Sequence, residues 1–148
     1  MKFNQDGDLL FTAAKDNKPT VWYSDSGERL GTFGMHFERI FVAPLLCVLI
    51  ICLFMLLSGP HNGAVWDLDP SWDSKYLVTA CADANARLFE VNTGKYIARM
   101  PHKGVVRSVK WGDGSQFFAT AADPFTSRDL GTISIFEFPT EEQLQEGT

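Results

Sequence analysis

The stretch TACADANARLFEVNTG at residues 79–94 recurs, with changes, in two other parts of the chain. Residues 12–27 read TAAKDNKPTVWYSDSG, and in both copies a threonine lies ten residues before an aromatic side chain. These pairs are Thr12 with Trp22 and Thr79 with Phe89. A third copy starts with TAAD at Thr120 and continues, after a longer loop, to SIFEF. Recurrence at a fixed spacing is typical of repeat architectures.

The spacing of the repeats predicts both the fold and one irregularity in it. Thr79 and Thr120 are 41 residues apart, within the roughly 40–45 residues of a four-stranded propeller blade. Thr12 and Thr79 are 67 residues apart, which leaves an excess of 26 residues at about 34–59. We therefore predict an all-β fold. It is a partial β-propeller with fewer than three blades of four-stranded antiparallel sheet, interrupted by one apolar helix.

The chain divides into five segments on this pattern. Residues 1–33 are predicted to form an incomplete blade, because a turn at 6–8 leaves only residues 1–4 for the strand before 9–14, and we expect this opening strand to be missing. Residues 61–101 have four β-rich runs separated by turn residues, which predicts a whole blade. Residues 102–139 repeat the plan without a visible fourth strand, and an acidic tail follows at 140–148. The predicted strands are 9–14, 20–23, 29–33, 65–68, 76–81, 86–90, 96–100, 106–111, 116–121 and 132–138.

Residues 34–60, an apolar and transmembrane-like insertion, differ from the rest of the chain. Residues 40–57 carry no charge, and a helix of this length extends about 27 Å, close to the roughly 30 Å core of a bilayer. One interpretation is a membrane anchor. The other is a segment foreign to the fold, such as untranslated sequence read through in a gene model. Consecutive blades must touch to bury their faces, which favours the second interpretation, because a spanning helix would separate the first two blades.

The composition excludes several classes of function. A net charge of −5 and a pI near 5.1 argue against a direct nucleic-acid surface, which needs a basic patch. Three cysteines without CxxC spacing predict no disulfide framework and are typical of a reducing, cytoplasmic compartment. The three histidines have no metal-ligand spacing, and no phosphate-binding glycine pattern occurs. We therefore expect no metal and no cofactor.

Short motifs connect the repeat to a known family. Phe89-Glu90 and Phe136-Glu137 stand where the WD40 repeat family has Trp-Asp. Within that family, the phrases GDLLFTAAKD, VWYSDSGERLGTF, HNGAVWDLDPSWDSKYLVTACAD and RLFEVNTGK resemble the start of subunit i of eukaryotic translation initiation factor 3. The resemblance covers about 120 of the 148 residues and excludes 34–59. It implies a seven-bladed propeller, of which this chain has fewer than three blades.

The resemblance also implies a structural network in each blade, in which histidine, hydroxyl, aspartate and the aromatic of the third strand connect a turn to the sheet. Hydroxyl, imidazole and carboxylate are also the parts of a catalytic triad. A constellation that recurs in every repeat is more typical of a structural role, so we expect no enzyme activity. Phe89 lacks the indole N–H of tryptophan, so its network loses one donor. The matching residues are His61, Thr79, Asp83 and Phe89, then Thr12, Asp16 and Trp22, and finally Thr120, Asp123 and Phe136.

By this resemblance the chain is a non-catalytic scaffold that supports preinitiation complex assembly and mRNA recruitment in translation initiation. The implied partners are sibling subunits of the same factor, chiefly b and g. The small ribosomal subunit is contacted indirectly, and a membrane only if the insertion is genuine. Two alternatives stay open. One is another WD40 adaptor, of the receptor-kinase-associated type, and the other is a single-pass membrane protein if residues 40–57 span a bilayer.

Overall fold

The computed structural model describes residues 1–15, 17–33 and 61–138. Three sequence predictions therefore lie outside the described residues: the apolar helix over 40–57, the site residue Asp16 and the acidic tail at 140–148. The part of the chain that the structure describes contains no helix that is both long and apolar enough to cross a membrane. Its regular structure is β-strand, with one 3₁₀ turn at Asp113–Ser115.

The described strands form three antiparallel sheets, and neighbouring strands in each sheet are consecutive in the chain. These meanders confirm the prediction of an all-β, partial propeller. Sheet 1 contains β1 (Lys2–Phe3), β2 (Leu9–Thr12), β3 (Thr20–Tyr23) and β4 (Arg29–Thr32). Sheet 2 contains β5 (Val65–Pro70), β6 (Tyr76–Cys81), β7 (Asn85–Glu90) and β8 (Tyr96–Pro101). Sheet 3 contains β9 (Val106–Trp111), β10 (Phe117–Ala122) and β11 (Thr132–Glu137).

The prediction that the first repeat has no opening strand is wrong. β1 pairs with β2 through Lys2↔Phe11 and Phe3↔Leu10. A strand of two residues is too short to show a periodic pattern in the sequence. It is held in place from outside the sheet, because Nζ of Lys2 lies 2.9 Å from the carboxylate of Asp69 in sheet 2.

Pro70 marks a second difference, since the predicted strand 65–68 ends before it. β5 continues to Pro70, which pairs with Leu77 of β6. β5 is an edge strand of sheet 2, so the missing proline N–H removes no hydrogen bond from the interior of the sheet. The turn begins one residue later, where Ser74 N–H bonds the Ser71 carbonyl at 3.0 Å.

Three phenylalanines form the centre of the core between sheets 1 and 2. Phe11, Phe33 and Phe89 are each at most 2% exposed. The ring centroid of Phe33 lies 6.1 Å from that of Phe11 and 5.8 Å from that of Phe89. Phe33 directly follows β4, so the end of sheet 1 is anchored in this core.

A second apolar cluster lies between sheets 2 and 3. The rings of Trp111 and Phe118 meet edge to face there, with centroids 5.1 Å apart. Burying a large apolar side chain is worth about 1.5–3 kcal/mol, so this cluster holds sheet 3 against sheet 2. Its buried members are Val78, Ala80, Ala86, Leu88, Met100, Val106, Val109, Trp111, Phe118 and Ala122.

Asp69 of β5 connects all three sheets. Its carboxylate lies 2.9 Å from Nζ of Lys2 in sheet 1. From sheet 3 it accepts Nζ of Lys110 at 3.1 Å and the backbone N–H of Trp111 at 2.8 Å. A buried carboxylate needs such partners, and here they fix β9 against β5.

Candidate functional site

The network of the second repeat lies on the face of sheet 2 that is turned toward sheet 1. Thr79 of β6 and Arg87 of β7 are directly paired, so their side chains share a face. His61 lies just before β5, and its Nε2 is 2.5 Å from the Thr79 hydroxyl. Its Nδ1 is 2.6 Å from Nη1 of Arg87. The structure thus places an arginine in the centre of the predicted group.

The contacts of His61 determine its protonation state. Arginine only donates, so Nδ1 of His61 accepts the bond from Nη1 and the ring proton lies on Nε2. Nε2 donates to the Thr79 oxygen, and the Thr79 hydroxyl donates in turn to the Arg87 carbonyl at 3.3 Å. Burial, followed by the charge of Arg87, lowers the pKa of His61 from 6.5 to about 3. His61 is therefore a neutral imidazole at physiological pH.

Asp83 completes the network at the turn between β6 and β7. Its carboxylate lies 2.8 Å from Nη1 of Arg87. It also accepts the backbone N–H groups of Asn62 at 2.9 Å and Asn85 at 3.1 Å. Burial alone would raise the pKa of Asp83, but the Asn62 N–H and the Arg87 guanidinium outweigh it and hold the pKa below its ordinary value. The ionised carboxylate therefore joins the segment entering β5 to this turn.

Phe89 contributes apolar contact to the network. Its ring centroid lies 6.1 Å from that of His61 and 6.0 Å from that of Tyr96. A phenyl ring donates no hydrogen bond, so the Thr79 oxygen receives its bond from His61.

Sheet 1 retains the tryptophan of the motif. Nε1 of Trp22 donates to the Thr12 hydroxyl at 2.9 Å, and that hydroxyl donates to the Thr20 carbonyl at 3.4 Å. The structure therefore brings together Thr12 and Trp22, while Asp16 lies outside the described residues.

In sheet 3 the Thr120 hydroxyl has a histidine partner that the sequence analysis did not assign. Nε2 of His102 lies 2.7 Å from the Thr120 oxygen, and its Nδ1 lies 2.9 Å from the Met100 carbonyl. A carbonyl only accepts, so a neutral His102 carries its proton on Nδ1, the opposite tautomer to His61. The Phe136 ring meets His102 edge-on at 5.9 Å.

Asp123, the predicted acidic residue of the third repeat, pairs with Arg107 of β9. The carboxylate lies 2.6 Å from Nε of Arg107, and the two side chains are 39% and 49% exposed. Asp83 and Arg87 are only 10% and 6% exposed. The two aspartates also differ in spacing, since Asp83 follows its threonine by four residues and Asp123 by three. The third repeat thus has a surface ion pair where the second has a buried one.

Sequence reasoning missed Arg87 and His102. A signal for His102 was present, because His61 precedes Thr79 by 18 residues and His102 precedes Thr120 by the same number. No comparable signal marks Arg87. An arginine within a strand is usually exposed, and its burial here follows from two partners, Asp83 four residues before it and His61 26 residues before it.

His61, Cys81 and Asp83 also form a group whose ligand atoms lie within 4.8 Å of one another, close enough to consider a metal ion. The chemistry does not fit a cation. Nη1 of Arg87 already contacts both His61 and Asp83, so a positive charge lies between them. Burial raises the pKa of Cys81 to about 11, which keeps it a thiol rather than the thiolate that binds metals.

The arrangement differs from that of a catalytic base. Such a base needs a lone pair within reach of a substrate. The accepting nitrogen of His61 is engaged by Arg87, and the residue is 1% exposed. The hydroxyl of Thr79 and the carboxylate of Asp83 are engaged within the same network.

The sequence that forms these sheets is similar to known proteins. The WD domain, G-beta repeat family matches residues 52–90. Eukaryotic translation initiation factor 3 subunit I from Drosophila willistoni is 41% identical over 108 residues, which cover 73% of this chain and 26% of the relative. The Drosophila melanogaster protein of the same name is 39% identical over the same shares.

The Caenorhabditis briggsae subunit I is 29% identical over 147 residues, covering 99% of this chain and 37% of the relative. The chain thus spans between about a quarter and two fifths of the length of these relatives. Three meandering sheets, a repeated threonine–aromatic pair and these matches lead to one conclusion: the described residues have the fold of a partial WD40 propeller, and the chain is similar to subunit I of eukaryotic translation initiation factor 3.

Proposed function

We propose that the chain is a non-catalytic scaffold of translation initiation factor 3 that supports preinitiation complex assembly and mRNA recruitment. The observation that carries the proposal is the similarity to subunit I, at up to 41% identity over 73% of the chain. The division into blade segments 1–33, 61–101 and 102–139, with 34–60 as an insertion, belongs to the same proposal.

The polar network is proposed to have a structural role. In the second repeat, His61 bonds Thr79 directly. His61 and Asp83 both bond Arg87, and Asp83 also accepts the backbone N–H of Asn62. In the other two repeats the threonine bonds the indole of Trp22 or the imidazole of His102. Buried groups satisfied in this way hold loops to sheets, which supports a scaffold better than an enzyme.

The proposed partners are the sibling subunits b and g, with indirect contact to the small ribosomal subunit and a cytoplasmic location. Such partners often add an extended strand or a helix to an exposed surface. The net charge of −5 disfavours direct nucleic-acid contact.

Affinity purification of the tagged chain from eukaryotic cells, followed by mass spectrometry, tests the proposal. The expected result is enrichment of initiation factor 3 subunits, with b and g most enriched. A Phe89→Asp variant is the matched control, because it places a charge in the core between sheets 1 and 2 and leaves residues 34–60 unchanged.

The control distinguishes subunits captured by the folded sheets from those captured by the apolar residues 34–60. If Phe89→Asp enriches the same subunits as the wild type, capture depends on residues 34–60 or on nonspecific adhesion and the proposal fails. Enrichment of receptor kinases or of membrane proteins by the wild type would favour one of the two alternatives.

A further inference from the structure

The bend that leads into β5 contains a dipeptide with its own chemistry. Of the five asparagines in the chain, only Asn62 is followed by glycine. Gly63 has no side chain, so its backbone nitrogen can approach the side-chain carbonyl carbon of the preceding asparagine with little steric hindrance. Asn62 is exposed, and its side-chain amide makes no hydrogen bond to any other residue that the structure describes. The reacting groups and solvent are therefore both within reach.

Two other asparagines of sheet 2 lack this combination. The side-chain amide of Asn85 is held by the fold, because it donates to the carbonyl of Asp83 at 2.7 Å. Asn92 lies in the turn before β8 and is exposed like Asn62, but Thr93 follows it. The β-branched side chain of threonine crowds the backbone nitrogen that would have to react. Asn92 is therefore an internal control for the reactivity of Asn62.

The peptide bond between Asn62 and Gly63 lies between two contacts with the β6–β7 turn. On one side, the Asn62 N–H donates to the Asp83 carboxylate at 2.9 Å. On the other side, the Ala64 carbonyl accepts the Ala82 N–H at 2.9 Å. Gly63 passes the turn so closely that a Cβ added to it would lie 3.1 Å from Cβ of Ala82. The main chain between the two contacts therefore has no room for an additional atom.

We propose that Asn62 is a site of spontaneous deamidation, and that the product loosens the segment before β5 from the β6–β7 turn. The backbone nitrogen of Gly63 bonds to Cγ of Asn62, and the side-chain nitrogen leaves as ammonia with the proton of the Gly63 N–H. Water then opens the cyclic imide. Breaking its bond to Cγ gives aspartate, and breaking its bond to the main-chain carbonyl carbon gives isoaspartate. Either product replaces a neutral amide by a carboxylate and changes the net charge from −5 to −6.

The two products differ in their effect on the fold. In isoaspartate the main chain runs through the former side chain and gains one atom between the contacts of Asn62 and Ala64 with the turn. At least one of these contacts must then be lost. Aspartate keeps the length of the main chain and adds a carboxylate near that of Asp83, which accepts the N–H of the same residue. Isoaspartate is therefore the more destabilising product.

Incubation of the full chain in mildly alkaline buffer, followed by ion exchange and peptide mass spectrometry, tests the reaction. The wild type and the matched control Asn92→Gln should accumulate an acidic species with the modification at residue 62, and Asn62→Gln should not. Charge is the decisive readout, because isomerisation of the Asp-Gly bonds at 6–7 and 113–114 leaves the charge unchanged. The proposal is overturned if the wild type gains no acidic species, if Asn62→Gln gains as much of it, or if Asn92 reacts as fast as Asn62.

Urea unfolding of the isolated acidic species tests the structural effect. Its isoaspartate content is measured by the methyl groups that L-isoaspartate O-methyltransferase transfers to it, and Asn62→Asp represents the aspartate product. The midpoint of the isoaspartate-rich species should lie about 0.5 M below that of the untreated wild type, as the loss of one ordinary hydrogen bond would produce. Asn62→Asp should show a smaller shift. An isoaspartate-rich species that unfolds at the wild-type midpoint, or no earlier than Asn62→Asp, would overturn the proposed loosening of this segment.

Discussion

The replacement of Asp83 by alanine is the sharpest test of the buried network. Its carboxylate is 10% exposed and neutralises Arg87, which is 6% exposed. It also accepts two backbone N–H groups, from Asn62 and Asn85. Alanine leaves the guanidinium buried without its counter-charge and removes the acceptor for both amides.

The expected cost follows from this burial. Breaking a buried ion pair by removing one partner costs about 3–5 kcal/mol. The exposed pair between Asp123 and Arg107 offers the comparison, since its contact of 2.6 Å is no longer than the 2.8 Å of the buried pair, and its side chains are 39% and 49% exposed. Surface pairs contribute about 0–1 kcal/mol, so Asp123→Ala should cost little.

Urea unfolding followed by tryptophan fluorescence, at one protein concentration, measures both variants. With a denaturant slope of about 2 kcal/mol per molar, a loss of 4 kcal/mol lowers the midpoint by about 2 M. Asp83→Ala should show a shift of this size, and Asp123→Ala and the exposed-turn variant Asp113→Ala should stay near the wild type. Equal midpoints for Asp83→Ala and Asp123→Ala would refute the assignment of a buried, stabilising network.

Three further perturbations have defined outcomes. Trp22→Phe removes the donor to Thr12 and should lower the free energy of unfolding in urea by about 0.5–1.5 kcal/mol. Adding Thr12→Val should lower it no further, whereas additive losses would argue against the hydrogen bond. Acidification should destabilise the chain, because the pKa of His61 falls from 6.5 to about 3 on folding. Between these pH values the unfolded chain binds one proton more than the folded chain, so the free energy of unfolding should be about 2 kcal/mol lower at pH 5 than above pH 6.5. His61→Gln should reduce this pH dependence in urea unfolding. Deletion of residues 34–59 should raise the soluble yield and keep the fold, because Phe33 and His61, which flank the segment, have rings only 5.8 and 6.1 Å from that of Phe89. Loss of cooperative thermal unfolding in the deleted chain would show that the segment is part of the fold.

The repeated sequence pattern allowed most of the strands to be predicted. Strands Thr20–Tyr23, Tyr76–Cys81 and Val106–Trp111 have the predicted bounds, because turn residues flank β-branched and aromatic runs on both sides. β1 could not be predicted in this way. β1 is anchored by contacts with residues distant in the chain, including that of Lys2 with Asp69, 67 residues away.

The site was predictable to the extent that it repeats. The threonine–aromatic pair recurs at one spacing in the first two copies, and the structure places each threonine hydroxyl within hydrogen-bond distance of a ring nitrogen. Arg87 was not predictable, because nothing local distinguishes a buried arginine from a solvated one. Its burial depends on His61, which precedes it by 26 residues, as well as on Asp83, which precedes it by four.

Direct binding to purified subunits b and g tests the central claim most directly. The purified 148-residue chain would be immobilised, each subunit applied in turn, and binding followed by interferometry, with the Phe89→Asp chain as reference surface. The account predicts saturable binding of at least one of the two subunits to the wild type, and its loss on the reference. Absence of binding by both subunits to a chain shown to be folded, or equal binding to both surfaces, would contradict the account.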